Sequence, residues 1–176
     1  MKRKTKTIAL CGVLAALAVA LLFLGGALPF AAIACPVLAS LVLIPVYAET
    51  GWKWGLAWYL TVALLGLLLA PDKEAAILFV FFGYYPILRK WFGRLRSRIL
   101  RWALKLIYVN LALLAAYALM IFVFQLEAIA QEYAQIQTYL LIGLLLLANL
   151  SFVIYDLLIG RLEIYYHVRL RPKLNL

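Results

Sequence analysis

The chain has little of what most active sites are made from. Its 176 residues include one histidine, two cysteines and seven acids. They contain no HExxH, CxxC, P-loop or GxSxG pattern. These absences argue against metalloprotease, redox, nucleotide-hydrolysing and serine-hydrolase chemistry, and no catalytic residue, metal or cofactor is expected. His167 stands in the C-terminal tail and takes no role. Cys11 and Cys35 both fall in apolar runs, so they read as small core residues rather than a disulfide or metal ligands. Polar stretches are also missing. Hydrophobic residues make up 68% of the chain and the mean hydropathy is +1.03, against about half apolar residues in soluble domains. An ordinary soluble domain is excluded.

What is present is a series of apolar runs, at 8–28, 31–48, 54–70, 75–88, 103–125 and 138–160. Crossing about 30 Å of hydrocarbon takes roughly 20 helical residues. Six such spans fill the chain as one all-α, polytopic membrane domain and leave no room for a soluble catalytic unit. Six is an even number, so both termini return to one side. That side carries Lys2, Arg3, Lys4, Lys6, Lys53, Arg89, Lys90, Arg94, Arg96, Arg98, Arg101, Lys105, Arg161, Arg169, Arg171 and Lys173, and the other carries Lys73 alone. By the positive-inside rule both termini are cytoplasmic, in a plasma membrane. The net charge of +10 therefore sits at span ends, against lipid headgroups, and gives no reason to expect nucleic acid.

The N-terminus imitates a signal peptide, with lysines before an apolar stretch. That stretch runs from Ile8 to Leu28 without a polar cleavage region, so an uncleaved first helix is expected. Gly12, Ala16 and Ala20 recur at spacing four, with Ala9 three residues ahead. Such a stripe lets two helix backbones approach closely in lipid, either inside the bundle or against a second protein. Pro36 and Pro45 predict an irregular, protein-surrounded second span, or a helix end at one of them. Trp52, Trp54, Trp58, Tyr59, Trp91, Trp102, Tyr165 and Tyr166 gather at the cytoplasmic level as an interfacial belt.

Residues 89–105 carry Trp91, Leu95, Ile99 and Trp102 at helical spacing, with arginines elsewhere on the wheel. They predict an amphipathic helix lying on the inner leaflet or serving as a platform for a cytoplasmic partner. The polar connection 125–137 reads as a lid or a plain hairpin tip. Inside the spans the strong polar groups are Asn110, Asn149 and Asp156. An intramembrane acid is costly and faces protein. A structural ion pair of Asp156 with Arg161 or an inner-loop arginine is favoured over a proton relay, since no chain of acids crosses the membrane.

Six short-looped spans, basic inner edges, and Thr5-Lys6 leading into Ala15-Ala16-Leu17-Ala18 with Ala16-x-x-x-Ala20 resemble the substrate-binding S components of energy-coupling factor (ECF) transporters. The resemblance implies that Ala9, Gly12, Ala16 and Ala20 dock on a transmembrane coupling subunit, which connects to cytoplasmic ATPases. It also implies a vitamin or related small molecule bound near the outer face. The polar candidates there are Glu74, Gln125, Glu127, Gln137 and Tyr139, with Phe30 and Tyr133 as apolar walls. The rival reading is a non-transporting six-span scaffold resembling the cell-shape protein MreD.

Overall fold

Proline and glycine decide where the apolar runs break into separate helices. The computed structural model describes residues 2–26, 31–122 and 138–174. Its helices are α1 (Lys2–Gly25), α2 (Ala31–Leu41), α3 (Leu43–Thr50), α4 (Trp52–Leu69), α5 (Lys73–Phe82), α6 (Tyr85–Gly93), α7 (Arg98–Phe122) and α8 (Thr138–Tyr165). A π-helical turn, Tyr166–Leu170, and a short α9, Arg171–Leu174, follow. Among the described residues there is no strand. Six segments are long and apolar enough to cross a membrane: Thr5–Gly25, Ala31–Thr50, Trp52–Leu69, Lys73–Gly93, Arg98–Phe122 and Tyr139–Leu170. The architecture is therefore all-helical and of the multi-pass kind.

The second segment is α2 plus α3. Pro36 lies inside α2, buried with Cys35, Ala39 and Ser40. Pro45 falls in the first turn of α3, where a missing N–H leaves no hydrogen bond unmade. One proline is thus a protein-enclosed irregularity and the other marks a helix start. α2 packs against α1 and α5, and α3 packs against α4. A single residue, Gly51, joins α3 to α4 at φ +87°, a left-handed conformation that only glycine adopts without strain. The tight connection brings Gly55 against α3, where an added Cβ would stand 2.6 Å from the Tyr47 Cβ.

The fourth segment is α5 plus α6, broken at Gly83 and Tyr84, with Pro86 opening the next helix. Pro86 has no N–H to offer the Phe82 carbonyl, and an unpaired carbonyl in an apolar interior costs several kcal/mol. Three tyrosines from other helices supply the missing donors. Tyr59 donates to the Val80 carbonyl, Tyr108 to that of Phe81, and Tyr155 to that of Phe82 at 3.5 Å. The break is held open by protein, as helix interruptions at membrane depth require.

Three sequence expectations change. Residues 89–105 do not form one amphipathic helix: α6 ends at Gly93, residues 94–97 turn, and α7 starts at Arg98. The side chain of Ser97 accepts from Leu100 N at 3.4 Å, as expected of serine at a helix start. The aromatic belt is also divided. Trp52, Trp54 and Trp91 are exposed, whereas Trp58, Tyr59 and Tyr166 are buried. Trp58 Nε1 donates to the Cys11 carbonyl at 2.9 Å and ties α4 to α1. Finally, the last helix continues well past residue 160.

At the opposite end Asp72 caps α5 by accepting from Glu74 N at 2.9 Å. Lys73 turns back onto the last carbonyls of α4, donating to Leu67 O at 2.9 Å and Ala70 O at 3.0 Å. The one basic residue outside the positively charged edge thus has a local use, since a helix C-terminus leaves carbonyls without partners.

Candidate functional site

The polar residues of the spans do not scatter. Along α8 and the π-turn, Phe152, Tyr155, Asp156, Ile159 and Tyr166 are buried, with Glu163 half-buried among them. Spacings of three and four place them on one face. That face meets α3, α6 and α7 at the end of the bundle where the arginines and lysines cluster, called here the basic end.

Asp156, 3% exposed, is the centre. Its Oδ1 accepts from the Tyr85 hydroxyl at 2.6 Å and from Arg89 Nε at 3.0 Å. Its Oδ2 accepts from Lys105 Nζ at 2.7 Å. Arg89 also donates from Nη1 to Glu163 Oε2 at 2.8 Å, and Glu163 Oε1 accepts from the Tyr47 hydroxyl. Two cations face two carboxylates, so the cluster is neutral as well as hydrogen-bonded, the condition under which a buried charge is tolerated. A second pair lies beside it. Arg171 Nε stands 2.9 Å from Glu49 Oε1, which also accepts from Tyr166 at 3.2 Å.

The partner of Asp156 is therefore Arg89, at the end of the fourth segment, together with Lys105. Arg161 is exposed and outside the cluster. Both Asp156 oxygens are engaged by fixed donors, an arrangement that clamps helices and leaves no lone oxygen facing a path. The other two intramembrane polar residues meet each other. Asn110 Nδ2 donates to Asn149 Oδ1 at 3.1 Å and Asn149 Nδ2 to Asn110 Oδ1 at 3.2 Å, joining α7 to α8. A third polar contact, Ser40 with the Tyr155 hydroxyl at 2.6 Å, ties α8 to α2.

The small-residue stripe of α1 lies on the opposite face from its packing surface. Ala18 and Leu22 are fully buried, whereas Ala9, Gly12, Ala16 and Ala20 are all exposed. A Cβ added at Gly12 would meet nothing within 4 Å. Internal packing, one of the two uses open from sequence, does not account for this stripe among the described residues.

Of the ligand candidates, Phe30, Gln125, Glu127, Tyr133 and Gln137 lie outside the described residues. Glu74 is half-buried in the first turn of α5, and Tyr139 is exposed in the first turn of α8. Among the described residues no group of His, Cys, Asp or Glu is arranged to hold a metal ion. The residues that sequence reasoning did not assemble are Tyr47, Tyr85, Arg89, Lys105 and Glu163. One signal was available: Glu163 follows Asp156 by seven residues and so shares its helical face.

Loss of the central carboxylate leaves Lys105 without a carboxylate and Arg89 with Glu163 alone, and breaking a buried pair this way costs about 3–5 kcal/mol. Asp156→Asn should therefore lower the unfolding temperature of the purified protein sharply, while Arg161→Gln leaves it unchanged. Equal effects would mean that the cluster does not hold the fold. Comparison with known protein families, curated proteins and solved structures finds no match to this chain.

Proposed function

We propose that the chain is the substrate-binding subunit of a micronutrient uptake transporter, inserted in a prokaryotic plasma membrane with both termini in the cytoplasm. It docks through the Ala9–Gly12–Ala16–Ala20 face on a transmembrane coupling subunit driven by cytoplasmic ATPases. The observation that carries the reading is the outward-facing stripe. Small side chains on a lipid-exposed helix leave a shallow furrow, which lipid tails fill without gain and a second helix fills with close backbone contact. The concentration of positive charge at one end supports the orientation. The outer ends of the fourth, fifth and sixth spans, where Glu74 and Tyr139 stand, are the assigned region for a vitamin or related small molecule.

The orientation is tested by cysteine labelling in intact cells, in a chain with Cys11 and Cys35 replaced by alanine. Pro71→Cys, in the exposed turn between α4 and α5, should react with an impermeant thiol reagent added outside, and Arg96→Cys should react only after lysis. The opposite pattern would invert the topology and remove the docking geometry.

Docking is tested by bulk on the stripe. Ala16→Trp and Ala20→Trp should abolish co-purification of a membrane partner while leaving the unfolding temperature within a degree or two of the parent. Both positions are exposed, and surface substitutions cost within about 0.5 kcal/mol. A partner retained undiminished by both variants would assign the stripe to lipid.

A further inference from the structure

Beyond residue 160 the last helix carries a groove that neither the Asp156 cluster nor the α1 face uses. It is a shallow, largely open concavity of about 320 Å³ along one side of a single helix, lined by Arg161, Ile164, Tyr165, Val168 and Arg169. Ile164 and Val168 are each 67% exposed and Tyr165 is 50% exposed. These are large apolar surfaces to leave open between two arginines. Three neighbouring cations are matched by carboxylates, Arg89 with Asp156 and Glu163, Lys105 with Asp156 and Arg171 with Glu49, and Lys90 lies over the Tyr47 ring. Arg161 and Arg169 have no carboxylate partner among the described residues.

The backbone brings these two arginines together. In a regular α-helix, residues eight apart lie about 80° out of line, because eight residues make a little over two turns. The π-helical turn at Tyr166–Leu170 takes more residues per turn, so it rotates Arg169 back toward the line of Arg161. The turn is fixed from inside, since Tyr166, its first residue, and Arg171, just after it, both bind Glu49 of α3. Along the helix axis the two arginines stand about 12 Å apart, within joint reach of two extended side chains.

The groove also continues something. Leu150, Ile154, Leu157 and Leu158 are exposed on α8, and at spacings of three and four they run into Arg161, Ile164, Tyr165 and Val168. This is one stripe, apolar along the span and cationic at its end. The last segment has 32 residues, or about 48 Å of helix, against about 30 Å of hydrocarbon. Counted from Tyr139, the hydrocarbon ends near residue 159, which puts Arg161 at the headgroup level and the Arg169 backbone about 15 Å past the hydrocarbon edge, from where its long side chain reaches back toward the headgroups.

We propose that this groove binds one anionic phospholipid of the leaflet at the basic end. Its phosphate sits between the Arg161 and Arg169 guanidinium groups, and an acyl chain lies along Leu158, Leu157 and Ile154. Two planar guanidinium groups suit a phosphate better than point charges do. Tyr165 supplies the amphipathic wall that belongs at headgroup depth. The site requires that the chain span a bilayer, and it is independent of any transport role.

Native mass spectrometry of the full chain in detergent, with phosphatidylglycerol or phosphatidylcholine added, tests it. The parent protein should retain one phosphatidylglycerol in preference to phosphatidylcholine. Arg161→Gln should weaken that retention about fivefold and the Arg161→Gln/Arg169→Gln pair about 30-fold, from the worth of one basic residue near an anionic surface. Arg96→Gln/Arg98→Gln removes the same charge from the exposed 94–98 stretch and should leave retention unchanged. Equal retention of the two lipids by the parent overturns the proposal without any variant, so a misfolded double variant does not shelter it. Equal loss in the control pair reduces the effect to net charge and overturns it too. Displacement of phosphatidylglycerol by inorganic phosphate alone would make the groove a free-anion site. Undiminished lipid retention in the double variant would place the lipid elsewhere on the chain and overturn the proposal.

Discussion

A carboxylate placed inside an apolar helix has to be met by cations, or it does not stay charged and the helix does not stay in place. Asp156 is met by two, Arg89 and Lys105, plus the Tyr85 hydroxyl. Those three groups come from two other helices, so the charge cannot be neutralised unless α6, α7 and α8 lie together. Glu163 extends the constraint to α3 through Tyr47. The need matters because α8 has little else. From Tyr139 to Leu147 every residue of it is exposed, and the apolar side chains there are as comfortable in lipid as against protein. A membrane offers no hydrophobic drive for helices to associate. Directional polar contacts, Asn110 with Asn149 and the Asp156 cluster, set where the last helix goes.

The same logic explains the interrupted spans. Pro86 breaks the α5–α6 segment close to Arg89, and the break turns Tyr85 and Arg89 onto the face of Asp156. Tyr59, Tyr108 and Tyr155 take the carbonyls at the break. The rings of Tyr108 and Tyr155 pack with Tyr85 and Phe152, and that of Tyr59 with Phe79 and Tyr84. The Tyr85–Tyr108 pair is stacked at 5.5 Å between centroids and the Tyr85–Phe152 pair is edge-on at 4.8 Å. Kink, aromatic cluster and ion cluster thus form one unit, in which each tyrosine offers a ring to the packing and a hydroxyl to a group that water cannot reach.

The spans were legible in the sequence because hydropathy is a property of a stretch and needs no partner. So was the isolation of Asp156 as a residue that must be paired. The identity of its partner was not, because Arg89 and Lys105 read equally well as edge charges until the helices are placed together. The aromatic residues misled for a related reason: an amphipathic ring serves at an interface or in a buried polar contact, and only packing separates Trp54 from Trp58. The break at 94–97 had a signal, a serine ahead of an arginine-rich helix, but the Trp91, Leu95, Ile99, Trp102 periodicity runs straight across it. The α1 stripe was legible as a close-packing surface, while its direction depended on where Ala18 and Leu22 are buried. The expected ligand region falls largely on residues 123–137, beyond the described part of the chain.

Both functional readings, a transporter's binding subunit and a membrane scaffold, involve a membrane partner, and they part on whether a small molecule binds. Thermal unfolding of the purified chain against a panel of water-soluble vitamins, nucleobases and their precursors separates them. A ligand at 100 times its dissociation constant stabilises the folded state by about 2.7 kcal/mol. The binding-subunit account predicts that one member of the panel, or a close chemical relative, raises the unfolding temperature by several degrees, saturably and in the Ala16→Trp variant as well. A flat response across the panel, from a protein that still captures its membrane partner through α1, would contradict it and leave the scaffold.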